Sequence, residues 1–136
     1  MRPALTHVAL GVRDAAASVT FYQCHAQLSI VHDRFDGTRV VWLSDHEDHP
    51  AFVLVLIEGA AKGTAFPSSL LHFGFAVASR DQVDEIAAQA REHGVLVSEP
   101  MWGGEVVGYF CMLRDPDGHW VEFSYGQTLG PPENER

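Results

Sequence analysis

The sequence predicts an α+β fold made of two tandem βαβββ modules. Strand-like runs with two-residue periodicity fill most of the chain, only two stretches read as helices, and the order of elements begins again near the middle. A chain of 136 residues with 46% hydrophobic content suits one domain, module one at about 5–58, module two at about 70–125 and a solvated tail at 126–136. Such a domain buries roughly two thirds of its unfolded surface without needing disulfides.

Leu5 to Val12 alternates as a strand, and Asp14 then caps an Ala-rich helix running to about Cys24. Strands are expected near Leu28 to Arg34, Thr38 to Ser44 and Ala51 to Glu58, separated by Asp36-Gly37 and the polar loop DHEDHP. After the linker AAKGTAFPSS the pattern restarts with a strand over Leu70 to Val77. A helix follows from Ser79 to His93: Ser79 and Gln82 form a capping box, Val83, Ile86, Ala87 and Ala90 keep helical spacing, and Gly94 ends it. The last strands are expected near Val95 to Glu99, Val106 to Arg114 and His119 to Tyr125. Asp115-Pro116-Asp117-Gly118 joins the final pair as a type I turn.

Nine basic against eighteen acidic residues give a net charge of −9, which repels a phosphate backbone and speaks against nucleic acid or an anionic membrane as partner. A small molecule is the expected ligand. Two cysteines without metal-site spacing, Cys24 and Cys111, fit a reducing compartment. No stretch reaches the roughly 20 apolar residues of a membrane span, and MRPALTHVAL is too short for a signal segment, so the expectation is a cytoplasmic protein.

THVALGV and LHFGFAV superpose with His7 over His72, each leading into a capped helix, as an internal duplication would produce. Parity assigns faces on each strand. His7, Ala9 and Gly11 share one face; His72, Gly74 and Ala76 share another; Trp120, Glu122 and Ser124 share a third. Each carries one metal-ligand type among mostly small neighbours, while the bulky opposite faces pack on helices. A carboxylate on the inner face of a curved sheet is costly to bury alone, and a divalent cation offsets that cost. Two imidazoles and one carboxylate fill three coordination positions and leave others open, as catalytic sites do. Taken singly, each residue reads more simply as a hydrogen-bonded histidine or a solvated glutamate. Their matched parity is what favours ligation.

These residues resemble the vicinal oxygen chelate superfamily, which includes glyoxalase I, extradiol dioxygenases, fosfomycin resistance proteins and bleomycin resistance proteins. The resemblance rests on HVALGVRD with a helix ending FY, on LHFGFAV and on RDPDGHWVEF, and spans about Leu5 to Tyr125. It implies paired βαβββ modules forming an incomplete barrel around a divalent metal (Fe2+, Mn2+, Zn2+, Ni2+ or Co2+), with ligands from the first and last strands of each module. By position, His7, His72 and Glu122 match three ligand sites, and Glu122 matches the catalytic carboxylate. The fourth site, a glutamate in glyoxalase I, falls on Leu54 or Leu56; Glu58 arrives late and reads as a solvated strand end, unless a register slip brings it in as a fourth ligand. Fosfomycin enzymes carry a lysine and a serine-rich loop where this chain reads SEPMWGGEVVGYF. Extradiol dioxygenases add a histidine and a tyrosine, for which Tyr109 is the candidate here. Members of this length are usually homodimers, some with a metal site that uses one module from each chain.

Trp120, Tyr109 and Trp42 are the candidate substrate-pocket residues, with Trp102 and Phe110 as further aromatics. Asp45 to His49 reads as a solvated loop rather than a second metal site, His119 as structural or exposed, and His25, His32 and His93 sit near expected element ends without forming a constellation. The resemblance implies a metal-dependent enzyme on a small oxygen-rich substrate, dioxygenase-like or a glyoxalase-like lyase or isomerase. The alternatives are a non-catalytic binding protein of the bleomycin-resistance type and a fosfomycin-type thiol transferase.

Overall fold

The computed structural model describes residues 2–35, 37–59 and 72–127. The elements run β1 (His7–Val12), α1 (Ala15–Ala26), β2 (Ser29–Phe35), β3 (Arg39–Ser44), β4 (Val53–Glu58), β5 (His72–Ala76), α2 (Arg80–Glu92), β6 (Leu96–Trp102), β7 (Tyr109–Arg114) and β8 (Trp120–Tyr125). The predicted α+β class and the two βαβββ modules hold. Leu70, Leu71, the linker and the tail from residue 128 lie outside the described residues. By contacts the chain divides into one unit of Met1–Pro67 with Asp115–His119 and a second of Ser68–Arg114 with Trp120–Arg136.

In the first unit the sheet order is β1-β4-β3-β2, with β1 parallel to β4. Asp14 caps α1 by accepting the Ala17 N–H at 3.3 Å. The helix continues past Cys24 to Ala26 and ends where Gln27 adopts φ 54. A left-handed cap is most often glycine, so the sequence carried no stop signal there. α1 packs across β3 and β4, covering the buried Val41, Leu43, Leu54 and Leu56. The Asp115–Gly118 turn closes through the Gly118 N–H to the Asp115 carbonyl at 3.0 Å. Its side chains are built into this unit. Tyr22 donates its hydroxyl to Asp115 at 2.7 Å, and Arg13 donates both backbone N–H and Nε–H to Asp117 at 3.0 Å.

In the second unit the order β5-β8-β7-β6 repeats the first, again with the outer pair parallel. This is the topology a duplicated unit gives. α2 packs on β6, β7 and β8 through Val83, Ala87 and Ala90. Ser79 accepts the Gln82 N–H at 3.1 Å, while Gln82 reaches back to the Ala78 N–H rather than that of Ser79. β6 extends to Trp102 through Pro100, which an edge strand tolerates because it needs no donor on its free side. β7 starts later than expected, because residues 105–107 form a turn ending at Gly108, φ 82.

Candidate metal centre

Parallel pairing of β5 with β8 sets His72 against Trp120, Gly74 against Glu122 and Ala76 against Ser124. Directly paired residues share a face, so His72 and Glu122 stand on the same side of adjacent strands. β7 extends that face, since Met112 pairs with Glu122 and Phe110 with Ser124. Together with Met101 and Val107 these residues bound a cavity of about 1180 Å3 within the second unit. Trp120 lines it, and its buried indole nitrogen has no hydrogen-bond partner among the described residues.

Glu122 is 9% exposed. A Cβ added at Gly74 would lie 3.1 Å from its Oε2, so a larger residue there would make the carboxylate give way by a few tenths of an ångström. The Gln127 amide donates to Oε2 at 2.9 Å. Among the described residues no lysine, arginine or histidine forms an ion pair with it. Gln127 carried no sequence signal: it follows the last strand, in what reads as tail, and reaches Glu122 only because Gly126 turns the chain at φ 86.

In the first unit His7 shares a face with Ala9 and Gly11 at the start of β1. Thr6 Oγ1 lies 2.9 Å from its Nδ1, so that ring nitrogen is engaged by the neighbouring hydroxyl. The register also locates the fourth position. Ala9 pairs with Val55 as Gly74 pairs with Glu122, so Val55 is the counterpart of Glu122. The expected Leu54 and Leu56 pair with Val8 and Leu10 and are buried. Glu58 pairs with Val12 on that same side, and rather than being solvated its carboxylate accepts the Ala15 N–H at 2.8 Å at the start of α1.

The remaining candidates are dispersed. Tyr109 alternates with Phe110 and so turns away from the cavity face; its hydroxyl donates to Asp84 at 2.5 Å, and that bond raises its pKa. Arg80 stacks on Tyr109 and on the half-exposed Trp102, at 4.9 and 5.0 Å from the ring centres. Trp42 belongs to the first unit, 4.8 Å from the His32 ring. His119 sits in the turn, its backbone N–H held by Asp115 at 2.9 Å. Asp45 to His49 is exposed, as predicted, with Ser44 organising its start through the His46 N–H. Burial pushes the Cys111 thiol up to about 12, which keeps it protonated and unreactive. No helix among the described residues is long and apolar enough to cross a membrane.

A family model described as the glyoxalase/bleomycin resistance protein/dioxygenase superfamily matches residues 4–123. The uncharacterized protein PA2024 of Pseudomonas aeruginosa is 41% identical over 132 residues, covering 96% of this chain and 94% of that protein. Among solved structures, a possible glyoxalase from Bacillus cereus superposes with a TM-score of 0.71 at 26% identity, covering 89% of this chain and 97% of that one. A mutant of the fosfomycin resistance protein FosX from Listeria monocytogenes, complexed with Mn(II) and 1S,2S-dihydroxypropylphosphonic acid, superposes with a TM-score of 0.74. At 18% identity, over 94% of this chain and 95% of that one, it speaks to the fold alone.

Proposed function

This chain belongs to the glyoxalase/bleomycin resistance protein/dioxygenase superfamily, and from that premise we propose that it is a divalent-metal-dependent enzyme acting on a small oxygen-rich substrate. His7, His72 and Glu122 are the ligands, and Glu122 is the catalytic carboxylate. His7 comes from the first unit of the same chain or of a second copy in a homodimer.

The observation that carries this reading is Glu122 itself. Its carboxylate is nearly buried in the wall of the cavity that His72 also lines, with a neutral amide for a partner and no ion-paired cation among the described residues. Burying such a charge costs several kcal/mol, and a divalent ion offsets that cost. Imidazole with carboxylate suits Fe2+, Mn2+, Zn2+, Ni2+ or Co2+. When bound, such an ion supplies Lewis acidity toward adjacent substrate oxygens, the chemistry shared by extradiol dioxygenases and glyoxalase-like lyases or isomerases. Glu122, as the one anionic ligand, offsets part of the ion's charge and so sets how strongly those oxygens are polarised. Phe110, Met112 and Trp120 hold the apolar body of the substrate and keep water away from the face.

The test is elemental analysis of protein purified without chelator, coupled to a screen of catechols and hemithioacetals. His72→Ala is expected to lose both metal and turnover, and a variant with full metal content overturns the ligand assignment. A non-catalytic binder is the second reading, favoured by the apolar cavity wall and the charge of −9; absence of stoichiometric metal would support it. A fosfomycin-type transferase has less support, because no lysine or arginine among the described residues lines the cavity to pair with a phosphonate.

A further inference from the structure

We propose that Gln127 is the positioning residue for Glu122, holding one carboxylate oxygen so that the other alone is presented to the cation. The inference rests on the metal reading above. Gln127 lies beyond the last strand, yet its Nε2 is 2.9 Å from Glu122 Oε2 and its side chain lines the same cavity.

The placement is built by the backbone on both sides. Gly126 turns the chain at φ 86 immediately after β8, which brings residue 127 back alongside residue 122. Gly108, φ 82, presses against this turn: a Cβ there would collide with the Tyr125 carbonyl oxygen and stand 3.0 Å from the Gln127 nitrogen. Gly74 leaves Oε2 its space from the other side, at 3.1 Å from a would-be Cβ. Oε2 is therefore confined between a glycine and an amide donor, and Oε1 is the atom left to ligate.

The chemistry of the donor fits the task. A lysine or arginine at this position would pair with the carboxylate and cancel the charge a cation needs. An amide N–H orients the carboxylate and occupies one of its lone pairs while leaving the full negative charge in place. Hydrogen-bond partners of metal ligands matter at this level, their loss typically costing about 10–100-fold in metal affinity.

The experiment measures Mn2+ affinity of the full chain by the electron paramagnetic resonance signal of free Mn2+. Gln127→Met keeps the volume and removes the donor, and Gln127→Ala serves as a second variant. Thermal melting of the metal-free proteins accompanies both. The expected result is a Kd for Mn2+ raised about 10-fold or more in each variant, with melting temperatures close to the parent's. In a Glu122→Ala background Gln127→Met is expected to change nothing further. A Kd unchanged within twofold, or an equal loss in the Glu122→Ala background, overturns the role of Gln127 and leaves the metal site standing. Where the parent chain holds another of the five divalent ions instead of Mn2+, the same comparison is made with that ion, and a parent chain that binds none of them overturns both.

Discussion

Glu122 lies over Gly74 across the β5–β8 pair, where a Cβ would stand 3.1 Å from its Oε2 and 3.2 Å from its own Cβ. The alanine methyl of Gly74→Ala cannot be absorbed without tilting the carboxylate. Overpacking of this kind costs about 1–3 kcal/mol. The expected outcome is a modest loss in denaturant stability and a larger loss in metal content, read by urea titration and elemental analysis. Metal content equal to the parent's would show that the carboxylate can move without penalty.

Glu58 separates a capping role from a ligand role. Its carboxylate accepts the Ala15 N–H at the α1 terminus, where an acceptor is worth about 1 kcal/mol. Glu58→Ala is expected to lower the melting temperature by a few degrees while metal stoichiometry stays as in the parent. Loss of metal in this variant would make Glu58 a fourth ligand.

Tyr22 and Asp115 form a buried hydrogen bond, and Tyr22→Phe is expected to cost about 1–3 kcal/mol in urea denaturation. The pH dependence has a definite sign. Burial first, then the charge and hydrogen bond of Asp115, hold the Tyr22 pKa well above its ordinary value. The unfolded tyrosine loses its proton near about pH 10, whereas the folded one keeps it. This stabilisation is complete below about pH 10 and is lost as the pH rises beyond it. Tyr22→Phe is expected to flatten that alkaline fall, and an identical slope in the variant would remove Tyr22 as its source.

The two thiols are expected to react at very different rates with an aromatic disulfide reagent. Cys24 is exposed and Cys111 buried, with burial raising the latter's pKa to about 12. At pH 8 one thiol per chain reacts promptly and the second only after denaturant is added. Replacing Cys24 by serine removes the prompt phase, whereas a prompt phase that survives would place Cys111 within reach of solvent.

The cavity face was legible in the sequence because alternation is local: once β5 and β8 are recognised, His72, Trp120 and Glu122 follow by parity. On β7 the structure puts Phe110 on the face and Tyr109, the aromatic favoured from the sequence, off it. Register was not legible. Which β4 residue opposes Ala9 depends on hydrogen bonds closed across a long intervening segment, and linear alignment landed one residue to either side of Val55. Gln127 and the Glu58 cap are likewise tertiary: each depends on where a turn delivers a side chain, which local propensity does not encode.

The turn at Asp115–His119 has a consequence for how the chain matures on the ribosome. Strands β1 to β4 come from one contiguous stretch and can pair as soon as it emerges. Tyr22 and Arg13, however, wait for Asp115 and Asp117, which are translated 93 and 104 residues later. At about 5–20 residues per second this leaves the nascent first module several seconds with a buried hydroxyl and a guanidinium lacking their final partners. Chaperone capture during translation is therefore expected to concentrate on that interval and to end when RDPDG leaves the exit tunnel.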